Sequence, residues 1–260
     1  MNKWPKISIV TPSYNQASFL EETILSVINQ NYPNLEYIVI DGGSSDNSKE
    51  IIKKYESYLT YWVSEKDLGQ SNAINKGFKK ASGDIFGWIN SDDYYYPGSF
   101  EVIAKAFLKN PKLDFVHGFE DHIDLHGKVI RKYYPVFKSA KLSTIYSKTA
   151  LLQLTCFWKS SCFWKMGGLD ESLHISMDFD FLIKLSKNYK SKYLNYCIGA
   201  FRRYPEQKSD INKMLSHGFN EQLMVWERLV SQYKIPIICW KLITKIFYYF
   251  LRLKSAFSKI

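Results

Sequence analysis

The sequence predicts an α/β fold, a mostly parallel sheet flanked by helices, and three observations predict it. Short apolar runs alternate with amphipathic stretches over residues 7–97, the pattern of βαβ units joined by right-handed crossovers. Three of the apolar runs end in loops of small and acidic residues, at Thr11-Pro12, Asp41-Gly42-Gly43 and Asp92-Asp93. In a parallel sheet those ends share one edge, where open α/β sheets place their ligand crevice. A hydrophobic fraction of 46% over 260 residues supplies a sizeable core, so disorder is not the default.

In chain order, residues 7–10 form the first strand, closed by Thr11-Pro12-Ser13-Tyr14-Asn15. Ser18-Phe19-Leu20-Glu21 reads as a capping box, and Leu20, Ile24, Val27 and Ile28 recur at helical spacing, which predicts a helix over 19–31. A second buried strand covers 37–40, and a helix follows to about Tyr55. A third strand covers 61–63, and a loop containing Asp67, Gly69 and Gln70 leads to a helix over 71–81. The next stretch, Asp84-Ile85-Phe86-Gly87-Trp88-Ile89-Asn90-Ser91-Asp92-Asp93, organises the rest. Its apolar run reads as a buried strand that stops at two adjacent carboxylates. Two like charges there repel, and desolvation makes the repulsion worse. A Mg²⁺ or Mn²⁺ ion bridging to phosphate oxygens relieves both. The bland alternative is a solvated Asp-Asp turn before Pro97-Gly98.

From residue 98 the pattern changes. The sequence predicts a helix over 99–109, a strand at 115–117, a hairpin around 124–132 and an extended segment over 153–158. A helical turn over 160–166, a Gly167-Gly168 turn, a helix over 178–186 and a strand over 193–201 follow. Leu215, Phe219, Leu223, Trp226 and Val230 then mark a long amphipathic helix. The expected organisation is one domain over 1–212, with a nucleotide-binding half (1–97) and an acceptor half (98–212), and a helical extension over 213–260.

A net charge of +10 suits anionic partners: nucleic acid, an anionic membrane face or phosphorylated small molecules. The cations gather at the tail and no nucleic-acid motif is present, so a nucleic-acid partner is not expected. The first strand is not followed by G-x-G-x-x-G, which weakens a dinucleotide reading. Cys156, Cys162, Cys197 and Cys239 lack C-x-x-C spacing, so no zinc or redox motif is predicted. The N-terminus runs almost directly into Ile7, so no signal peptide is read. The thiols are then expected to be reduced in a cytosol. No apolar run reaches the ~18 residues of a membrane-spanning helix.

Several pieces, in order, carry a resemblance. They are Ile7 through Asn15, Val39 through Asp46, Gly69 through Gly77, Gly83-Asp84, Asn90-Ser91-Asp92-Asp93, Gln153 through Trp158, Gly167 through Glu171, and Met177-Asp178-Phe179-Asp180-Phe181. Together they resemble the family 2 glycosyltransferases with the GT-A fold. The resemblance implies an inverting transfer from a nucleotide sugar, with UDP as the default nucleotide, to a glycan or lipid-linked acceptor in a bacterial surface-polysaccharide pathway. It places Thr11, Pro12 and Tyr14 beside the donor base, with Asp41 accepting hydrogen bonds from base or ribose. Gln70 lies near the donor, Asp92 at the ribose or metal, and Asp93 on a Mn²⁺ or Mg²⁺ ion. The usual Asp-x-Asp is Ser91-Asp92-Asp93 here, which leaves the coordination details open.

Inverting transfer needs a base for the acceptor hydroxyl, and the resemblance gives that role to Asp178. Asp178 and Asp180 are about 200° apart on a helix, so only one faces the cleft. Near the positive helix end Asp178 is expected to stay ionised; the same position also suits a mere dipole partner. Gln153 and Trp158 are expected on the acceptor side, with Trp158 equally suited to the core. Arg202, Arg203 and Lys208 fall where the family often carries cations near the diphosphate, and the same residues equally suit a solvated basic loop. His122 and His126, read in a hairpin, do not predict a metal site. The alternatives kept open are a nucleotidyltransferase, which lacks its Gly-rich basic loop here, and a non-catalytic nucleotide-sugar-binding protein. Beyond the resemblance, Lys241, Lys245, Tyr248 and Arg252 form one polar stripe of an apolar helix. That stripe fits either the anionic inner face of a cell membrane or a protein surface.

Overall fold

The computed structural model describes residues 4–135, 138–140, 151–208 and 219–231. The strands are β1 (Ile7–Ser13), β2 (Leu35–Asp41), β3 (Tyr61–Ser64), β4 (Ile85–Trp88), β5 (Tyr94–Tyr95), β6 (Phe115–Ile123), β7 (Val129–Tyr133), β8 (Phe157–Lys159) and β9 (Ser191–Arg202). The helices are α1 (Ala17–Ile28), α2 (Ser48–Lys54), α3 (Gln70–Lys80), α4 (Ser99–Lys109), α5 (Ser160–Lys165), α6 (Met177–Asn188) and α7 (Phe219–Ser231). Together they build an α/β fold with helices on both faces of one sheet.

The sheet runs β3-β2-β1-β4-β8-β6-β9-β5, with β7 added to β6. The first four strands in that order are mutually parallel. β8 then enters antiparallel between β4 and β6, and β9 returns parallel to β6. Side chains alternate across each strand. Ile7, Ile9, Tyr37 and Val39 therefore pack with α1, α2 and α4, while Val10, Ile38, Phe86 and Trp88 pack with α3, α5 and α6.

Two glycines allow close approach. A Cβ on Gly77 of α3 would sit 2.5 Å from a methyl of Val10, so its absence lets α3 lie flat on β1 and β2. A Cβ on Gly87 of β4 would sit 2.7 Å from the Phe157 ring of β8.

The predicted elements of residues 7–109 are present, with one local correction. α1 starts at Ala17 and the expected capping box does not form. The amides that open the helix are taken instead by the loop after β2: Asp46 accepts from Ala17 N–H at 2.9 Å and Ser48 Oγ from Gln16 N–H at 3.2 Å. Further on, Gln153–Thr155 is a 3₁₀ turn, and extended chain begins only at Phe157. Trp158 is fully buried against Trp88 and Phe181, so it belongs to the core and not to an acceptor surface. β5 went unpredicted; it pairs with β9 through Tyr94 and Ala200. Among the described residues no helix is long and apolar enough to cross a membrane. The basic stripe at Lys241, Lys245, Tyr248 and Arg252 lies outside the described residues.

Gly87→Ala is expected to destabilise the protein by about 1–3 kcal/mol, because the added methyl has no room beside Phe157. A chemical denaturation midpoint equal to that of the wild type would show that the β4–β8 contact yields freely.

Candidate active site

A cavity of about 1050 Å³ opens at the carboxyl edge of β1, β2 and β4. One end is formed by Pro12, Ser13 and Tyr14 with Gly42 and Gly43, and the middle by Gln70, Asn90 and Asp92. The other end carries Glu120 and His122 from β6, Gln153, Asp178 and Lys208. Of the expected site residues, Pro12, Tyr14, Gln70, Asp92 and Asp178 line this cavity; Thr11, Asp41 and Asp93 stand behind its wall. Tyr14 is 62% exposed, an unencumbered ring beside the loop glycines.

Thr11 and Asp41 are turned inward for a physical reason. Thr11 Oγ1 is 3.0 Å from the Tyr37 hydroxyl, a hydrogen bond within the sheet. Asp41, fully buried, accepts from the amides of Gly43 and Ser44 and from the hydroxyls of Ser44 and Ser64. These four hydrogen bonds shape the Gly42–Gly43 loop.

The adjacent carboxylates divide the same way. Asp92 faces the cavity, and its Oδ2 accepts from the Tyr204 hydroxyl at 2.8 Å. Asp93 is 2% exposed; Oδ1 accepts from Arg202 N–H at 3.0 Å, and Oδ2 has no partner. Burial, followed by the charge of Asp92, raises the Asp93 carboxyl well above the usual range. Burial also raises Asp92, against the pull of the Tyr204 hydrogen bond. Of the two adjacent carboxylates, Asp92 is the one that meets the cavity.

Arg202, expected near a diphosphate, is a structural cation instead. It is 2% exposed and pairs with Glu22. Its Nε donates to Asp92 O at 3.0 Å and Nη1 to the carbonyls of Asp124 and Leu125. Arg203 and Lys208 do reach the cavity wall, and Lys208 Nζ donates to Gln70 Oε1 at 2.9 Å. Gln70 Nε2 in turn donates to Asn90 Oδ1 at 2.8 Å, which bridges α3 to the end of β4.

α6 resolves the choice between its two acids. Asp180 is buried and pairs with Lys184 one turn on, at 2.5 Å. Asp178 points into the cavity. Its carboxylate accepts from Phe179 N–H at 2.8 Å. Burial nevertheless raises its pKa, with that amide and Lys208 opposing. The loop feeding α6 is held from outside: Glu221 of α7 accepts from the amides of His174, Ile175 and Ser176 at 3.0, 2.8 and 2.9 Å. Glu120, Tyr204 and Glu221 were not singled out from sequence. Glu120 and Tyr204 sit in or beside segments that were read as hairpin and loop, where nothing local marks an inward-facing side chain.

The donor set suits a hard cation. Mg²⁺ or Mn²⁺ commonly takes one or two carboxylates and completes its shell with water and diphosphate oxygens. Asp92 offers such a carboxylate at the cavity. Among the described residues no group of three or more His, Cys, Asp or Glu forms a closed metal cage. A single carboxylate of this kind fits an ion that completes its shell with other oxygen ligands.

Residues 8–208 match the family described as Glycosyl transferase family 2. The chain belongs to this family. Among curated relatives, the hyaluronan synthase of Pasteurella multocida is 30% identical over 200 residues, 75% of this chain and 20% of that protein. The chondroitin synthase of Escherichia coli is 27% identical over 202 residues, covering 75% of this chain and 28% of its own length. The chain thus spans about a fifth to a quarter of those synthases. Among solved structures, S. aureus TarS in complex with UDP-GlcNAc superposes with a TM-score of 0.68 at 19% identity, over 86% of this chain and 66% of that one. The mannosyltransferase PcManGT from Pyrobaculum calidifontis, in complex with GDP-Man and Mn²⁺, gives 0.66 at 16% identity, over 88% and 65%. These two likenesses establish the fold.

Asp93 generates a test of its own. A carboxyl with a raised folded pKa costs stability as pH rises from its unfolded value toward its folded one. Asp93→Asn removes that cost and keeps the Oδ1 acceptor for Arg202. The melting temperature of Asp93→Asn is expected to match the wild type near pH 4 and to exceed it increasingly as pH rises above that unfolded value of about 4. A pH-independent difference would mean that the buried carboxyl is not its source.

Proposed function

We propose that this chain is an inverting glycosyltransferase that moves a sugar from a nucleoside diphosphate sugar, UDP-linked by default, to a hydroxyl of a glycan or lipid-linked acceptor. One observation carries the reading: a single cavity holds Asp92 at the end of β4 and Asp178 at the start of α6. The first is a carboxylate suited to a cation on the diphosphate, the second a carboxylate suited to proton abstraction. The Tyr14 ring and the Gly42–Gly43 loop supply a flat face and close backbone approach for a nucleotide base and ribose.

In the transfer, the acceptor oxygen attacks the anomeric carbon from the face opposite the diphosphate. The new C–O bond forms as the bond to phosphate breaks, and the electron pair leaves with the nucleoside diphosphate. Asp178 takes the acceptor's proton; its desolvated carboxylate is a stronger base than one in water. Asp92 would hold a Mn²⁺ or Mg²⁺ ion, whose chemistry is to offset charge on the leaving diphosphate. Tyr204 orients Asp92 through its hydroxyl. Lys208, Gln70 and Asn90 keep the wall between the two carboxylates in register. The basic segment over 236–252 favours an acceptor presented at an anionic membrane face in a surface-polysaccharide pathway.

A thermal-shift panel of UDP-, dTDP- and GDP-sugars with and without Mn²⁺ tests the donor. A true donor at a hundredfold excess over its dissociation constant adds about 2.7 kcal/mol of stability. No stabilisation by any of them would sink the reading. Asp92→Asn is expected to lose the Mn²⁺-dependent part of that stabilisation while Asp93→Asn keeps it; the opposite result returns the cation to Asp93. Asp178→Asn is expected to bind donor normally and lose about 10²- to 10⁴-fold in turnover. Because burial raises Asp178, the acid limb of the wild-type rate profile should lie above the ordinary carboxylate value of about 4. A limb at or below that value would show that another group is the base.

A further inference from the structure

The cavity lining includes a carboxylate on β6 that the transfer does not use. Glu120 projects from β6 into the cavity lining, yet its side chain is only 5% exposed. Its Oε1 is 3.2 Å from His122 Nε2, and its Oε2 has no partner. Arg203 Nε lies 3.4 Å from His122 Nδ1. A guanidinium only donates, so His122 Nδ1 accepts and the ring proton sits on Nε2, which donates to Glu120. The chain Arg203 to His122 to Glu120 therefore runs one way and fixes which oxygen is left open. The His122 ring is stacked on Tyr133 at 4.6 Å and 7°, so it cannot swing aside without losing that contact.

A buried carboxylate oxygen without a donor is costly. Asp93, close enough for Glu120 to raise its pKa, has an unpartnered oxygen of its own, and the side chains of Tyr133 and Phe201 line the cavity. A pre-aimed acceptor in a cleft is chemistry that suits a carbohydrate ring, with hydroxyl or amide donors on its edge. We propose that Glu120, oriented by the Arg203–His122 chain, is a sugar-reading residue whose unpartnered Oε2 accepts a hydroxyl or amide N–H of a sugar ring in this cavity. This rests on the reading of the cavity as a nucleotide-sugar site. The ring is either that of the donor or that of the acceptor.

The test uses the full chain and a panel of methyl glycosides of hexoses and N-acetylhexosamines, followed by saturation-transfer NMR with and without saturating nucleotide sugar. At least one glycoside should bind the wild type. Glu120→Gln should weaken it about 10- to 100-fold, the range of one hydrogen bond to a charged group. His122→Phe keeps the stacking but not the donor and should weaken it in the same direction. Affinity for UDP and for Mn²⁺ alone should stay unchanged in both variants, and their melting temperatures show that they fold. Displacement of the glycoside by nucleotide sugar assigns the ring to the donor; persistence assigns it to the acceptor. Absence of glycoside binding to the wild type, wild-type binding by Glu120→Gln, or an equal loss of Mn²⁺ affinity overturns the proposal. Failure of the underlying donor reading shows separately, as no nucleotide-sugar stabilisation of the wild type.

Discussion

The buried guanidinium of Arg202 is the contact on which the site depends. It stands at the end of β9 and reaches three separate pieces of chain: Glu22 on α1, the Asp92 carbonyl after β4, and the Asp124 and Leu125 carbonyls of the β6–β7 turn. Its own backbone amide holds Asp93. Its guanidinium also lies 4.9 Å over the Phe19 ring. A planar donor fork is suited to such a junction, because it satisfies several carbonyls in one plane while remaining charged. A lysine offers no such plane. With Asp93 drawn inward toward β9, the chain direction leaves Asp92 on the cavity side. The division of labour between two adjacent acids is therefore imposed from a strand more than a hundred residues away.

The electrostatics of the cavity follow from that arrangement. Asp92, Asp93, Glu120 and Asp178 are all raised by desolvation. Such a concentration of reluctant carboxyls would be a liability in a purely structural core. In a cleft proposed to take a cation, a diphosphate and a sugar it is a store of acceptor capacity. Arg202 is hidden in the wall, and Arg203 and Lys208 reach the lining. Positive charge thus frames the acids without neutralising them.

Much of this was legible in the sequence. The alternation of apolar runs with helical stretches located the parallel half of the sheet, and the loops ending in Thr11-Pro12, Gly42-Gly43 and Asp92 marked the edge where the cavity lies. The acids that face it were harder to name. Asp41 looks like a ligand group on paper, but nearby hydroxyls and amides consume it. Asp93 looks like the retained motif acid, but an amide on β9 turns it inward. Both outcomes depend on partners remote in sequence, which periodicity does not report. The same limit hid β5, a two-residue strand defined only by its pairing with β9. It hid the antiparallel entry of β8 as well, which requires Gly87 to let Phe157 close in. Trp158 carried no sign of its burial, because an aromatic residue beside a strand suits core and cleft equally.

The grip of Glu221 on the loop before α6 has a consequence for where the working unit ends. The family match stops at residue 208, and the carboxylate that secures the Asp178 segment lies beyond it, 45 residues downstream of Ser176. A fragment cut at the similarity boundary would keep every candidate catalytic side chain and lose the clasp that aims one of them. Three amides would then be left to water at the mouth of the site, with the helix they introduce free to fray. The extension is thus part of the machine although it shares none of the family's signature. A rearrangement of α7 would be transmitted to the Asp178 segment through that carboxylate.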